Sequence, residues 1–288
     1  MKLLRYGESG AEKPGLLDAA NRIRDLSAVV DDIDGASLSP DSLARLRAIE
    51  PESLPLVDGS PRLGSCIAKP GKFVAIGLNY SDHAAEAGLP IPAEPVVFYK
   101  TDTCICGAND AVIQPRGSTR LDWEVEIAIV IGSKAQYLDE AAAAQAIAGY
   151  CIVNDVSERE FQIDRGGSQW SKGKGCDTFG PTGPWLVTAD AVDDVQNLGM
   201  WLDVNGKRMQ TGNTRNMIFG CACLVSYLSQ FMTLMPGDII TTGTPPGVAL
   251  GYDEPPWLKP GDVMTLGIDR LGEQRQQVVA WPRLTRSQ

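Results

Sequence analysis

The sequence is poor in the residues that most metal and redox proteins need. Its 288 residues contain one histidine, His83, and seven cysteines, no two of them spaced as CxxC. One histidine rules out an HExxH metalloprotease helix, and the missing CxxC pairs argue against a structural zinc site. An odd cysteine count, with Cys151, Cys221 and Cys223 in the apolar runs GYCIVND and FGCACLVSYL, fits free thiols in a reducing compartment better than a disulfide framework. No Walker A, GxGxxG or GxSxG motif is present, which removes most nucleotide-dependent enzymes and serine hydrolases. Basic residues are also short: 26 Lys and Arg face 36 Asp and Glu, for a net charge of -10. That balance offers neither the basic stripe of a nucleic-acid protein nor attraction to an anionic membrane. No apolar run reaches membrane-spanning length, and the opening MKLLRYGESG is broken by charge and glycine, unlike a signal peptide or anchor. The expectation is a cytoplasmic protein.

What is present is a strand-rich α+β chain, with 43% hydrophobic residues to fill a core. KLLRYG, GLLDA and RIRDLS read as short strands, and SPDSLARLRAIE as a helix capped by Ser39 or Asp41. The Pro, Gly and Ser content of residues 51 to 72 suggests a linker, so the reading is a small N-terminal domain over 1–68 and a catalytic domain over 69–288. Beyond the linker, KFVAIGL, PVVFYK, WEVEIAIVIG and GYCIVNDV are strand-like. Asn205-Gly206 marks a hairpin, and GDVMTLGIDRLGEQRQQVVA another. Helices are expected over DEAAAAQAIA and, as a longer element ending at Pro236, over NMIFGCACLVSYLSQFMTL.

Strand alternation places Glu124 and Glu126 on one face of a strand that continues as the fully apolar AIVIG. A second apolar strand, GYCIVNDV, ends in Asp155. Three carboxylates brought together repel unless a cation lies among them, and oxygen-only ligation suits a hard divalent ion, Mg2+ with Mn2+ as a working substitute. This requires Asp155 to approach the other two. Arg159 and Gln162 follow Asp155 by four and seven residues, so a helical turn would put all three on one face. Lys174 sits in a Gly-rich turn, and the loop TTGTPPGVALG offers backbone N–H groups and the hydroxyl of Thr244. His83 and Glu86 share one face of a short helix stopped by Gly88 and Pro90, and a carboxylate beside an imidazole orients it and raises its basicity.

With these residues in view the chain resembles the fumarylacetoacetate hydrolase family. GLNYxxHxxE, DWExE, GYxxxNDVSxR, KxxDTFxPxGP, VNGxxxQ and TGTPxGV occur in that order between about residues 70 and 280. The resemblance implies a mixed β-roll with flanking helices, usually a homodimer, in which Glu124, Glu126 and Asp155 hold Mg2+ or Mn2+. It implies that His83 and Glu86 form a water-activating dyad on a segment that closes over the substrate. Lys174 would stabilise developing charge, Arg159 and Gln162 would contact substrate oxygens, and Thr244 would bind the substrate's carboxylate end.

The family's chemistry is mixed, and its common element is a metal-held 2-oxo acid. The His–Glu dyad favours water attack, hence hydrolysis of a carbon–carbon bond in a 2,4-diketo acid. The segment MKLLRYG…KPGLLD…IRDLS…LARLR is similar to bacterial members acting on 2,4-diketo-3-deoxy sugar acids derived from L-fuconate or L-rhamnonate, which would yield pyruvate and a hydroxy acid such as lactate. The alternatives on the same fold are an acylpyruvate or fumarylpyruvate hydrolase, an oxaloacetate decarboxylase and a ureidoglycolate lyase. A non-catalytic sugar-acid binding protein is the alternative outside enzymes.

Overall fold

The computed structural model describes residues 1–86, 88 and 90–281. Two sheets carry the architecture. The larger is a ten-stranded sheet whose order runs Ile23–Asp25, Lys13–Leu17, Lys2–Tyr6, Gly180–Thr188, Ile147–Asn154, Val125–Ile131, Ile239–Thr241, Phe73–Gly77, Val96–Tyr99, with Ile105–Gly107 pairing alongside Gly180–Thr188. The smaller is a five-stranded sheet in the order Lys207–Asn213, Gly199–Val204, Val263–Ile268, Gly272–Ala280, Val112–Gln114. Mixed strand directions and few helices make this an α+β fold. The first strand, Lys2–Tyr6, pairs antiparallel with Gly180–Thr188, so the N-terminal strands extend the same sheet that carries the carboxylates.

Local sequence explains most elements. Asn205 and Gly206 both take positive φ, 52° and 79°, which lets a two-residue turn follow the right-handed twist of the strands it joins. Ser39 caps Pro40–Arg47 by accepting from the Ser42 N–H, and Asp139 caps Glu140–Gln145 from the Ala142 N–H. Val125–Ile131 and Ile147–Asn154 are buried along their whole length, as central strands covered on both faces must be.

Two expectations are corrected. The long helix predicted up to Pro236 is confined to Cys221–Ser229. Residues before it are drawn into other pairings: Tyr80 bridges Met217, and the Ile218 and Phe219 N–H groups donate to the Asn79 backbone and side-chain oxygens. After the helix, Leu234 bridges Ala135. Tertiary partners outbid the helical pattern at both ends. Asp155 likewise shares no helix with Arg159 and Gln162. It directly follows a strand, Ser157–Glu158 forms another short strand, and only then does a π-helical turn, Glu160–Asp164, begin after Arg159.

The sheets are joined by a buried amide chain. Asn154 donates to Gln276 Oε1 at 3.0 Å, Gln276 to Gln274 Oε1 at 2.9 Å, and Gln274 to the Ile152 and Gly183 carbonyls at 2.9 Å. Asn154 Oδ1 also accepts the Glu124 N–H at 3.2 Å, so the chain ends at the candidate site. Truncating Gln276 takes away the oxygen that the buried Asn154 amide donates to, and leaves the Ala108 carbonyl, which it also bonds at 2.5 Å, without its donor. Gln276→Ala is expected to destabilise by about 2–4 kcal/mol, since each stranded buried group costs about 1–3 kcal/mol. Thermal unfolding checks this, and an unchanged midpoint would contradict a structural role for the amide chain.

Candidate active site

The three carboxylates meet because of strand register. Val153 lies opposite Glu126 and Asn154 opposite Val125, and the next step brings the Asp155 N–H onto the Glu124 carbonyl at 2.9 Å. One oxygen from each of Glu124, Glu126 and Asp155 lies within 4.8 Å of the others, and all three residues are buried. Around them stand buried cations. Lys174 Nζ donates to Glu124 at 2.7 Å and to Asp155 at 2.9 Å. Lys100 Nζ donates to Asp155 at 2.5 Å and to the Lys174 carbonyl. Arg159 reaches Glu124 at 2.6 Å, Asp122 at 2.8 Å and Gln162 at 2.9 Å.

Four carboxylates, counting Asp122, thus face three cations, and the one left over is Glu126. Its only hydrogen bond among the described residues comes from the Gly243 N–H at 2.9 Å, and no cation pairs with it. Burial, then the neighbouring Asp155 and Glu124, hold its pKa well above the ordinary carboxylate range. Glu124 shows the opposite balance. Burial alone would raise it, but Lys174 and Arg159 outweigh burial and bring it down to about 2. A buried acid group short of one partner, beside two more carboxylates, is a donor set that fits a hard divalent cation.

A cavity of about 530 Å³ is lined by Glu124, Glu126, Arg159, Gln162, Lys174 and Thr244, and also by His83 and Glu86. His83 Nδ1 lies 3.0 Å from Glu86 Oε2 on the helix Ser81–Glu86. The Gly247 N–H donates to both Glu86 oxygens, at 3.1 and 3.3 Å, which anchors the carboxylate. Gly247 has φ +100° and a Cβ there would lie 2.0 Å from the Met209 carbonyl oxygen, so only glycine lets this N–H reach Glu86. Asp82 accepts from Asn216 at 2.7 Å and ties the helix to the turn Thr214–Asn216. Of segment 80–92, Ala87 and Leu89 lie outside the described residues.

Thr244 lines the cavity, but its hydroxyl donates to the Val125 carbonyl at 2.9 Å and accepts from Gln210 at 2.8 Å. The side chain therefore serves the wall of the site. Arg165, by contrast, has a half-exposed side chain, as a solvated loop residue would.

Three contributors went unassigned in the sequence. Lys100 ends the apolar run PVVFYK, and a lysine closing an apolar strand is the available signal. Asp122 begins DWExE; it accepts from the Ala249 and Leu250 N–H groups at 2.7 and 3.1 Å, linking Arg159 to the loop after Thr244. Gln210, the last residue of VNGxxxQ, accepts the Val125 N–H at 3.0 Å and donates to Thr244 and to the Pro245 carbonyl.

The Glu126 environment has a pH signature in chelator-treated protein. A carboxyl whose folded pKa lies above its unfolded value of 4.5 favours the fold below that pH, and the benefit is lost as pH rises through the folded pKa. Glu126→Gln is therefore expected to raise the unfolding midpoint of metal-free protein at neutral pH, with the advantage shrinking toward pH 4.5, and to abolish stabilisation by added Mg2+ or Mn2+. A variant that is less stable than wild type at neutral pH without metal would contradict this electrostatic account.

Comparison with known proteins gives the family. Residues 72–279 match the family model for the C-terminal domain of fumarylacetoacetate (FAA) hydrolase. A relative from Burkholderia cenocepacia named as a hydrolase is 63% identical over 278 residues, 96% of this chain and 98% of its own. The fumarylacetoacetate hydrolase of psychrophilic Exiguobacterium antarcticum superposes with a TM-score of 0.84 at 30% identity, over 98% of this chain and 100% of that one. Maleylpyruvate hydrolase from Sphingobium sp. SYK-6, solved with manganese(II) and pyruvate, gives 0.81 at 26% identity with the same coverage. Among the described residues no helix is long and apolar enough to cross a membrane. The family match, the relative and the shared fold together establish that the chain belongs to the fumarylacetoacetate hydrolase family.

Proposed function

We propose that the protein is a divalent-metal-dependent hydrolase that cleaves the C3–C4 bond of a 2,4-diketo acid, probed best with 2,4-diketo-3-deoxy sugar acids related to L-rhamnonate and L-fuconate. The observation that carries this reading is that the His83–Glu86 pair lines one cavity with Glu124 and Glu126, and that Asp155 lies within 4.8 Å of those two carboxylates. Glu124, Glu126 and Asp155 would hold Mg2+ or Mn2+, whose charge would bind the 2-oxo acid end and offset the negative charge that gathers there as the bond breaks. In this proposal residues 69–288 form the catalytic part and the active protein is a homo-oligomer.

His83, oriented by Glu86, takes a proton from a water molecule as its oxygen bonds to C4. The electron pair of the C4 carbonyl moves onto oxygen, and Lys174 with Gln162 offsets that charge. When the carbonyl re-forms, the C3–C4 pair passes to the 2-oxo acid fragment, and the proton held by His83 is delivered to C3. The products are pyruvate and a carboxylic acid such as lactate. Arg159, fixed by Asp122 and Glu124, holds Gln162 in place, and Thr244 shapes the wall that receives the substrate's carboxylate end.

His83→Ala separates this reaction from a decarboxylation on the same fold, which needs no activated water. Pyruvate release from a 2,4-diketo acid is expected to fall by roughly 10² to 10⁴ fold, the usual worth of a positioned general base. Mg2+ binding by calorimetry should survive, because His83 is not among the carboxylates, and any weak oxaloacetate decarboxylation should fall far less. Glu86→Gln is expected to give a milder form of the same pattern. Undiminished hydrolysis in His83→Ala would show that another group is the base.

A further inference from the structure

The cavity is graded in burial, and its charges follow the gradient. At the floor Glu126 and Lys174 are almost wholly buried, whereas Ile163, Leu250 and Tyr252 at the mouth are 51%, 43% and 38% exposed. Both cations of the lining, Arg159 and Lys174, lie at the floor, and each is already engaged by two carboxylates. Toward the mouth the described lining residues are apolar or aromatic, apart from the His83–Glu86 pair and the exposed Asp253. Four lining carboxylates, Glu86, Glu124, Glu126 and Asp253, face two lining cations. One bound divalent ion would balance that charge, and among the described lining residues no positive group stands at the mouth to receive a second anion.

We infer that the outer half of the cavity selects a 2-oxo acid whose far end is uncharged, and that Asp253 determines this specificity. Its carboxylate can accept a hydrogen bond from a tail hydroxyl and repels a tail carboxylate, while Ile163 and Leu250 cover the carbon chain. This deepens the proposed function and rests on it for the orientation of the substrate, with the 2-oxo acid end on the floor. It favours neutral-tailed diketo acids over fumarylpyruvate, whose far end is a carboxylate.

The test compares two ligands that differ only in a terminal carboxylate, 2-oxoheptanoate and 2-oxoheptanedioate. Binding to the full-length protein with Mg2+ is measured by calorimetry, at low and at high salt. Wild type is expected to prefer the monoacid by about tenfold, a difference of about 1.4 kcal/mol. The gap should shrink at high salt, as it would for an exposed charge. Asp253→Asn should narrow it several-fold, and Asp253→Lys should reverse it. Equal or tighter binding of the diacid by wild type, no change in Asp253→Lys, or failure of both ligands to bind would each overturn the inference. Pyruvate release is assayed separately: discrimination without turnover of any 2,4-diketo acid would sink the hydrolase reading alone, and turnover without discrimination would sink this one alone.

Discussion

The antiparallel register between Val125–Ile131 and Ile147–Asn154 is the constraint on which the site depends. It sets Val153 against Glu126 and leads Asp155 onto Glu124, so three carboxylates at the paired ends of two strands come together. A slip of one residue would send one strand's acidic groups to the opposite face. Both strands are buried along their whole length, and the three carboxylates at their ends are buried with them. They are relieved by Lys100, Lys174 and Arg159, and Glu126 stands outside that pairing. A buried charge without a partner is costly, and that cost gives the site its appetite for a cation.

The rest of the molecule holds this register and aims groups at it. Asn154, Gln276 and Gln274 fasten the end of one strand to the second sheet, and Gln210 fastens Val125 to the loop carrying Thr244. That loop continues to Gly247, whose N–H grips Glu86 and so orients His83. Asp122 joins Arg159 to Ala249 and Leu250, coupling the cation cluster to the cavity mouth. Fully satisfied buried polar networks of this kind fix a single geometry, which a site built from opposed charges requires.

Much of this was legible in the sequence because short-range rules govern it. Alternation placed Glu124 and Glu126 together, helical spacing paired His83 with Glu86, and Asn205-Gly206 announced its turn. Asp155 could be named from its place after an apolar strand, but its distance from Glu124 depends on register, a long-range property. Lys100 escaped because its role exists only where the end of Val96–Tyr99 meets Asp155, 55 residues away in sequence. The helix beyond Ser229 was overread because its apolar pattern is satisfied by pairing with Ala135, and the stretch before Cys221 because Asn79 and Tyr80 claim it. Thr244 lines the cavity with its hydroxyl donating to the Val125 carbonyl, a partner that sequence spacing does not reveal.

The central claim is that a divalent cation and a water-activating histidine act on one substrate in one cavity. The most direct measurement is pyruvate release from a 2,4-diketo-3-deoxy sugar acid by protein stripped with chelator, before and after Mg2+ or Mn2+ is returned. The account predicts no turnover in the stripped protein and recovery on addition of either ion. Full turnover by thoroughly metal-free protein would contradict it.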